Sequence, residues 1–375
     1  MKKSHLLLTT LVFSVLTTSV VFAQSTLREA TKGKFLMGVA INTQQDNGSN
    51  PDVEAVIANQ FSAIVAENCM KNGPIHPEEN KFNFADADQF VAFGEKNNLT
   101  VTGHCLIWHA QLGKWFTLDS NGKDVSPEVL KQRMKTHIQT VVGRYKGRIK
   151  GWDVVNEAFE DDGSYRKSKF YRILGEDFIP YAFQCAHEAD PDLELYYNDY
   201  NMYIPSKCDA VIALVKKLKA AGCRIDAVGM QGHMIMESPS VEEEELSIKK
   251  LAAAGVKVLI TEWDISILPR PNNQTSANIT DKAEYAKKFD PYRDGVPDSA
   301  MTKWNKRVTE MFAMFVRNSD AIDRVTVWGL NDGSSWLNGF PIRGRRDYPL
   351  LYDRNMKPKA VVQQMIDIAN AANNK

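Results

Sequence analysis

The sequence predicts a single (β/α)8 barrel, an α/β fold. Eight short runs rich in β-forming apolar residues recur along the chain, and a longer amphipathic stretch separates each run from the next. The runs are apolar almost throughout, as strands are in a parallel sheet that helices cover. Eight strand-helix units over about 350 residues match the upper size range of this fold. The runs span residues 35–41, 61–67, 100–106, 149–155, 193–198, 227–233, 256–265 and 324–330.

The stretches between the runs carry helix signals. Residues 126–145 open with Ser126 and Pro127, a capping residue followed by a first-turn proline, and repeat their apolar residues at three- and four-residue spacing. Residues 205–222 and 241–255 each end on glycine, which is typical of a helix C-terminus. These three stretches are therefore predicted to be helices.

One long connection follows the seventh run. Residues 268–299 have the composition of a linker, whereas a connection from strand to helix is usually short. The segment is therefore either a functional loop or a disordered insert. Since nothing else interrupts the alternation of predicted strands and helices, residues 24–375 are expected to form one domain.

The first 23 residues have the features of an export signal, with cleavage after Ala23. Lys2 and Lys3 precede an uncharged stretch over residues 6–21, and Val21-Phe22-Ala23 has the small residues of a cleavage site. An uncleaved N-terminal anchor is the alternative. No later segment reaches the roughly 18 uncharged residues of a membrane span. The mature protein is expected to be secreted or periplasmic, without a membrane contact.

Charge and cysteine content exclude several classes of protein. Lys and Arg number 46 and Asp and Glu 46, so the chain has no basic field to hold a nucleic acid. Its 5 cysteines are too few and scattered for a disulfide scaffold, and none has the CxxC spacing of a structural zinc site. An odd number leaves at least one cysteine unpaired. A disulfide between Cys69 and Cys105 is one pairing that the sequence allows.

Polar and aromatic residues follow the second to eighth runs. In a (β/α)8 barrel the C-terminal ends of the strands meet at one rim, where the active site lies. A single strand-end carboxylate is most often a cap or an ion-pair partner, but seven consecutive runs with such residues indicate a site. In chain order they are Glu67, Asn68 and Lys71; His104, Trp108, His109 and Gln111; Asn156 and Glu157; Asn198, Asp199 and Tyr200; Gln231 and His233; Glu262, Trp263 and Asp264; Trp328, Asn331, Asp332 and Trp336.

Two of these residues form a candidate catalytic pair. Glu157 follows the fourth run and Glu262 ends the seventh, so they face each other across an eight-stranded barrel. Opposed carboxylates are the arrangement that glycoside hydrolysis needs, one protonated and one ionised. Trp108, Trp328 and Trp336 offer flat faces for sugar rings, although each alone is as readily explained by core packing.

Seven ordered motifs resemble glycoside hydrolase family 10, the β-1,4-xylanases of the 4/7 superfamily. The similarity covers essentially residues 30 to 370, and it implies a secreted, retaining endo-β-1,4-xylanase that acts on xylan and xylo-oligosaccharides without a cofactor or metal. We expect a monomer. The motifs are ENCMK (67–71), GHCLIWHAQ (103–111), WDVVNEAF (152–159), YNDYN (197–201), GMQGH (229–233), ITEWDI (260–265) and WGLNDGSSW (328–336).

The resemblance also implies roles for individual residues. Glu262 is the nucleophile, and Glu157 is the general acid that later becomes the general base. Asn156 holds the 2-hydroxyl of the sugar, Gln231 lies beside the acid/base, and His233, oriented by Asp264, hydrogen-bonds the nucleophile. Residues that match the substrate-binding positions are Glu67, Asn68, Lys71, His104, Trp108, Gln111, Trp328 and Trp336 on the glycone side, and Asn198 and Tyr200 on the aglycone side.

The sequence departs from the family pattern at a few positions and leaves other functions open. Trp263, Asn331 and Asn72 replace residues usual in the family, which bears on subsite preference more than on reaction type. A β-glucanase or β-mannanase of the same superfamily is one alternative, and a catalytically silent carbohydrate-binding barrel is another. His104 and His109 could instead suggest zinc, but no third nitrogen ligand is obvious.

Overall fold

The computed structural model describes residues 25–271 and 276–373. The predicted export signal, residues 1–23, lies outside the described residues. Over those ranges eight parallel strands form a closed barrel with helices between them, which confirms the predicted (β/α)8 fold.

Nine strands alternate with helices in the described chain. The eight barrel strands pair in order, and the barrel closes where β9 pairs with β1, with Met37 beside Val325. The strands are β1 (Leu36–Ile41), β2 (Ala63–Ala66), β3 (Thr100–Trp108), β4 (Gly151–Asn156), β5 (Glu194–Asp199), β6 (Ala227–Met230), β7 (His233–Ile235), β8 (Lys257–Ser266) and β9 (Ile322–Val327).

The sixth predicted run is divided in two. β6 belongs to the barrel and pairs with both β5 and β8, whereas β7 pairs only with the outer end of β8. Gly232 separates them at a φ of 77°, a left-handed conformation that glycine adopts without a steric penalty. The turn directs His233 towards the end of β8, the seventh predicted run, where Glu262 and Asp264 lie.

The helices begin and end close to the predicted positions. Ser126 caps α5 by accepting a hydrogen bond from the Val129 N–H, and Ser240 with Glu243 forms a capping box at α9. The helices are α1 (Leu27–Ala30), α2 (Pro51–Gln60), α3 (Asn72–Ile75), α4 (Ala85–Lys96), α5 (Pro127–Arg144), α6 (Lys169–Leu174), α7 (Phe178–Ala189), α8 (Pro205–Ala220), α9 (Val241–Ala253), α10 (Asp298–Arg317) and α11 (Ala360–Asn373).

The core fills the barrel and the layer between strands and helices. Between the strands and the helices, a Cβ atom on Gly103 would overlap the ring of the fully buried Trp152, so this strand position requires glycine. Outside the barrel, Trp263 on β8 packs edge-on against Phe315 of α10, with ring centroids 5.2 Å apart. The tryptophan that departs from the family pattern therefore packs against a helix, away from the cleft.

All five cysteines are free, so the bridge considered between Cys69 and Cys105 does not form. Of the helices in residues 25–271 and 276–373, none combines the length and apolar character needed to span a membrane.

The described part of the long insert packs against the loop that follows β9. The Arg345 guanidinium donates to the backbone carbonyls of Pro269 and Phe340, and the Ala283 N–H donates to the Pro341 carbonyl. The two loops thus form one wall above the ends of β8 and β9.

Candidate active site

An open cleft of about 560 Å³ lies at the C-terminal ends of the barrel strands. Fifteen residues line it, and thirteen of them are among the predicted site residues: Glu67, Asn68, Lys71, His104, Trp108, Gln111, Asn156, Glu157, Gln231, His233, Glu262, Trp328 and Trp336.

On one side of the cleft, a chain of hydrogen bonds orients Glu262. His233 Nε2 lies 3.1 Å from Glu262 Oε2, and His233 Nδ1 lies 3.0 Å from Asp264 Oδ2. The Trp336 indole N–H donates to the same Asp264 oxygen over 2.8 Å. The imidazole is therefore held between two carboxylates.

The positively charged groups around Glu262 keep its carboxyl ionised. Burial opposes ionisation, but the hydrogen bond from His233 and the positive charges of His104, His233 and Lys71 outweigh it and hold the pKa of Glu262 below its ordinary value. Burial also opposes the charge of His233, yet Asp264 and Glu262 raise the pKa of that imidazole to about 9. At neutral pH an imidazolium thus faces an ionised carboxylate.

Across the cleft, Glu157 is held by hydrogen-bond donors from three strands. The Trp108 indole N–H donates to Glu157 Oε2 over 2.8 Å, and the Gln231 amide donates to Oε1 over 3.1 Å. Asn156 Nδ2 lies 3.4 Å from Oε1. The side chain is only 4 % exposed, so its carboxyl has a fixed position at the cleft surface.

The backbone of Glu157 has a left-handed conformation, with a φ of 57°. A residue other than glycine pays roughly 1–3 kcal/mol for such a conformation, which persists only where the surroundings impose it. The turn is what carries the chain out of β4 while leaving the carboxyl on the cleft side.

Asn198 links the two sides from behind the cleft. Its amide donates to Glu262 Oε1 over 2.8 Å and to Asn156 Oδ1 over 3.0 Å, and its own carbonyl oxygen accepts from the Thr261 hydroxyl. Gln231 Nε2 lies 3.3 Å from the same Asn156 oxygen. A chain of side-chain amides thus connects one carboxylate to the other.

The two predicted aglycone contacts are not on the cleft surface. Asn198 is fully buried, and its side-chain amide contacts Glu262 and Asn156. Tyr200 is 3 % exposed, and its hydroxyl accepts a hydrogen bond from Arg166. Asn198 lies near the end of β5 and Tyr200 directly follows it. The sequence does not show that their side chains point below the rim.

The predicted glycone side combines a cation with aromatic faces. Lys71 Nζ donates to Asn68 Oδ1 over 3.0 Å and lies 5.1 Å from the ring centroid of Trp108 and 5.9 Å from that of Trp328. Burial raises the pKa of Glu67, while the charge of Lys71 opposes that shift. These groups offer apolar faces and directional hydrogen-bond partners to a sugar.

His104 is fixed from below. Its Nδ1 lies 2.8 Å from Asp153 Oδ2 inside the barrel, and its ring meets Trp328 edge-on. This contact assigns Nδ1 to Asp153 and leaves Nε2 for another partner.

The long insert supplies the two cleft residues that the sequence did not predict, Ala277 and Ile279. Nearby, Arg270 donates to the Ser276 carbonyl, and its guanidinium lies over the ring of Phe340, which stacks on Trp336. Of the two readings left open, these contacts favour a functional loop.

The other departures from the family pattern shape loops. Asn331 accepts hydrogen bonds from the Gly333 and Ser334 N–H groups and does not line the cleft. Asn72 is buried, and its side-chain oxygen Oδ1 accepts a hydrogen bond from the Gly113 N–H. In the described part of the chain, no group of three or more His, Cys, Asp or Glu residues is arranged to hold a metal ion.

Comparison with known proteins identifies the fold as that of one family. The model of glycosyl hydrolase family 10 matches residues 26–368. This chain belongs to glycosyl hydrolase family 10.

Three relatives illustrate the similarity, which covers nearly the whole length of each. The endo-1,4-beta-xylanase A of Xylanibacter ruminicola is 50% identical over 345 residues, which cover 92% of this chain and 94% of that protein. The structure of a GH10 endoxylanase from a sugarcane soil metagenome is 44% identical with a TM-score of 0.89, covering 91% of this chain and 99% of that one. A mutant structure in complex with xylotriose is 32% identical with a TM-score of 0.82, and the coverage is again 91% and 99%.

Family 10 membership confirms the resemblance seen in the motifs and the prediction of a glycoside hydrolase. Among the residues that sequence reasoning missed, Thr261 holds Asn198, and Ala277 and Ile279 add an apolar wall. The hydrogen bond from Trp336 to Asp264 was not predicted either. Trp336 was predicted only as a sugar-binding face.

Proposed function

We propose that this protein is a retaining endo-β-1,4-xylanase that hydrolyses internal β-1,4-xylosidic bonds of xylan by double displacement. The observation that carries the proposal is the pair of differently supported carboxylates. Glu262 is held ionised by His233, and Glu157 faces the same cleft between Trp108 and Gln231. The 50% identical relative named endo-1,4-beta-xylanase supports the choice of substrate.

In this mechanism Glu262 attacks the anomeric carbon while Glu157 gives its proton to the leaving glycosidic oxygen. The glycosyl-Glu262 ester is then hydrolysed by a water that Glu157, now a carboxylate, deprotonates. Asn156 lies between the two carboxyl groups and offers its amide to the sugar 2-hydroxyl. The protein's groups suffice for these steps, so the mechanism uses neither a cofactor nor a metal.

Substrate choice is tested by hydrolysis rates on linear xylan, carboxymethyl cellulose and mannan. We expect xylan to be the fastest substrate and its first products to be oligosaccharides, because an endo-enzyme cleaves inside the chain. If cellulose or mannan is faster, the protein is another β-glycanase. A silent carbohydrate-binding barrel would bind xylan without releasing reducing ends.

The mechanism is tested by chemical rescue. Glu157→Ala should still form the glycosyl-enzyme rapidly from substrates with good leaving groups, and added azide should give a β-glycosyl azide. Glu262→Ala should lose hydrolysis and is the matched control, because azide attack at its unoccupied position would give the α-product. An α-azide from Glu157→Ala, or no rescue, would contradict the assigned roles.

We also propose that the mature protein is a monomer that acts in the periplasm or outside the cell. The uncharged stretch and the small-residue site before Gln24 support export. N-terminal sequencing of the protein recovered from the periplasm and the medium tests this, and a chain that retains Met1 in the membrane fraction would contradict it. Light scattering during size-exclusion chromatography measures the mass, for which we expect that of one chain.

A further inference from the structure

A buried polar cluster lies directly behind Glu157 and outside the cleft. Lys207, on the buried side of α8, is fully buried, and its Nζ lies 2.8 Å from Oδ1 of the equally buried Asp199. The ammonium also lies 3.7 Å from the ring centroid of Tyr200. Such an ion pair is seldom an efficient source of stability, because both charges lose their hydration. We call this cluster the Glu157 clamp; its members are Arg166, Tyr197, Asp199, Tyr200 and Lys207.

The clamp satisfies the backbone on both sides of the left-handed turn. Arg166 Nε donates to the Glu157 carbonyl over 2.9 Å, and the Tyr197 hydroxyl accepts from the Ala158 N–H over 3.0 Å. Asp199 Oδ2 lies 3.4 Å from the Phe159 nitrogen.

Two further backbone contacts complete the turn. The Arg166 N–H donates to the Ala158 carbonyl over 2.8 Å, and the Glu157 N–H donates to the Asn198 carbonyl over 2.9 Å. Every polar backbone group of residues 157 and 158 therefore has a partner in the clamp or on β5.

The members of the clamp also hold one another. Arg166 Nη2 donates to the Tyr200 hydroxyl over 2.7 Å, and the Tyr197 hydroxyl donates to Asp199 Oδ2 over 2.5 Å. Lys207 then neutralises Asp199. Removal of one member leaves a buried donor or acceptor without its partner, so the geometry of the turn depends on the whole cluster.

We propose that Arg166 is a positioning residue for the acid/base, acting through the backbone of Glu157, with the Asp199–Lys207 pair and Tyr200 as its support. Arg166 does not line the cleft, and its guanidinium binds the carbonyl of the residue whose carboxyl must reach the glycosidic oxygen. Arginine suits this role because its planar fork reaches the Glu157 carbonyl and the Tyr200 hydroxyl at once. The inference rests on the proposed function, since it assumes that Glu157 donates a proton.

Leaving-group dependence separates positioning of a proton donor from general loss of structure. A substrate with a good leaving group, such as 2,4-dinitrophenyl β-xylobioside, departs without protonation, whereas phenyl β-xylobioside needs it. Arg166→Lys keeps the charge but not the fork. It should lower kcat/KM for the phenyl substrate about 100-fold, since a displacement near 1 Å costs that much, and for the dinitrophenyl substrate by less than about threefold.

Two further variants guard against misinterpretation. Tyr200→Phe removes one hydroxyl and keeps the ring over Lys207, so it tests the same selective loss, in smaller degree, if Arg166→Lys does not fold. Arg307→Lys changes a partly buried arginine that donates to the Pro239 carbonyl between β7 and α9, and it should leave the ratio of the two rates unchanged.

Equal losses on both substrates, or no loss on either, would overturn the assignment of Arg166. If the parent protein hydrolyses neither xylobioside, the proposed function fails instead, and the two failures are thus distinguishable.

Discussion

The charge of His233 should set the acid limb of the pH profile. His233→Gln keeps an amide that can donate to Glu262 but removes the imidazolium, which lies 3.1 Å from the Glu262 carboxylate. Coulomb's law at this distance gives about 1.3 kcal/mol at the dielectric constant of water and about 5 kcal/mol at an effective value near 20. Since one pKa unit corresponds to about 1.36 kcal/mol, the pKa of Glu262 should rise by at least about one unit.

A nucleophile must be ionised, so the acid limb of kcat/KM should move to higher pH by that amount. The assay is kcat/KM for an aryl β-xylobioside across pH, which reports groups of the free enzyme. His187→Gln, at an exposed position near the end of α7, is the matched control and should leave the profile unchanged. A profile of His233→Gln that falls uniformly, with its acid limb in place, would refute the electrostatic argument.

Three other outcomes are expected. Trp108→Phe removes the donor to Glu157 Oε2 but keeps an aromatic face, so kcat/KM for phenyl β-xylobioside should fall about tenfold, the equivalent of one hydrogen bond to a neutral carboxyl group; an unchanged rate would show that this donor is dispensable. Gly103→Ala should lose about 1–3 kcal/mol of unfolding free energy by overpacking against Trp152, whereas Gly143→Ala in α5, where nothing lies within 4 Å, should not lower the Tm. Burial raises the pKa of Glu244 to about 8 against the opposing charge of Arg307. The stability of the parent protein should therefore fall as the pH rises from about 4.5 towards 8, because the unfolded chain ionises this carboxyl more readily than the folded one. The Tm of Glu244→Gln should rise relative to that of the parent between about pH 5 and pH 8, and a constant difference would contradict the assignment.

The sequence predicted the barrel because its strands are apolar on both faces, a pattern that parallel strands under helices require. It predicted thirteen of the fifteen cleft residues because parallel strands deliver their C-terminal ends to one rim. It did not predict the direction of every side chain at that rim. Asn198 near the end of β5 and Tyr200 just after it point beneath the cleft, where their partners come from β4, β8 and the loop after β4. The buried position of Lys207 could not be predicted either, because a lysine in an amphipathic helix ordinarily faces water. Its contact with Asp199 appears only in the folded structure.

Ala277 and Ile279 were missed for a different reason. They stand alone in a polar segment and have no periodic neighbours, so pattern analysis detects the length of the insert but not its apolar contact with the cleft.

The wall built by the insert and the loop after β9 cannot be exchanged piece by piece. Arg345 on the second loop is 3 % exposed and finds its acceptor in Pro269 of the first, while Arg270 on the first loop is 4 % exposed and covers Phe340 of the second. If only one of the two loops is replaced by that of a relative, a buried guanidinium loses a partner on the other loop. Such a loss costs about 3–5 kcal/mol when the lost partner was a charge and less for a carbonyl. Recombination between family members therefore has to take both loops together, although β9 and α10 separate them in the chain.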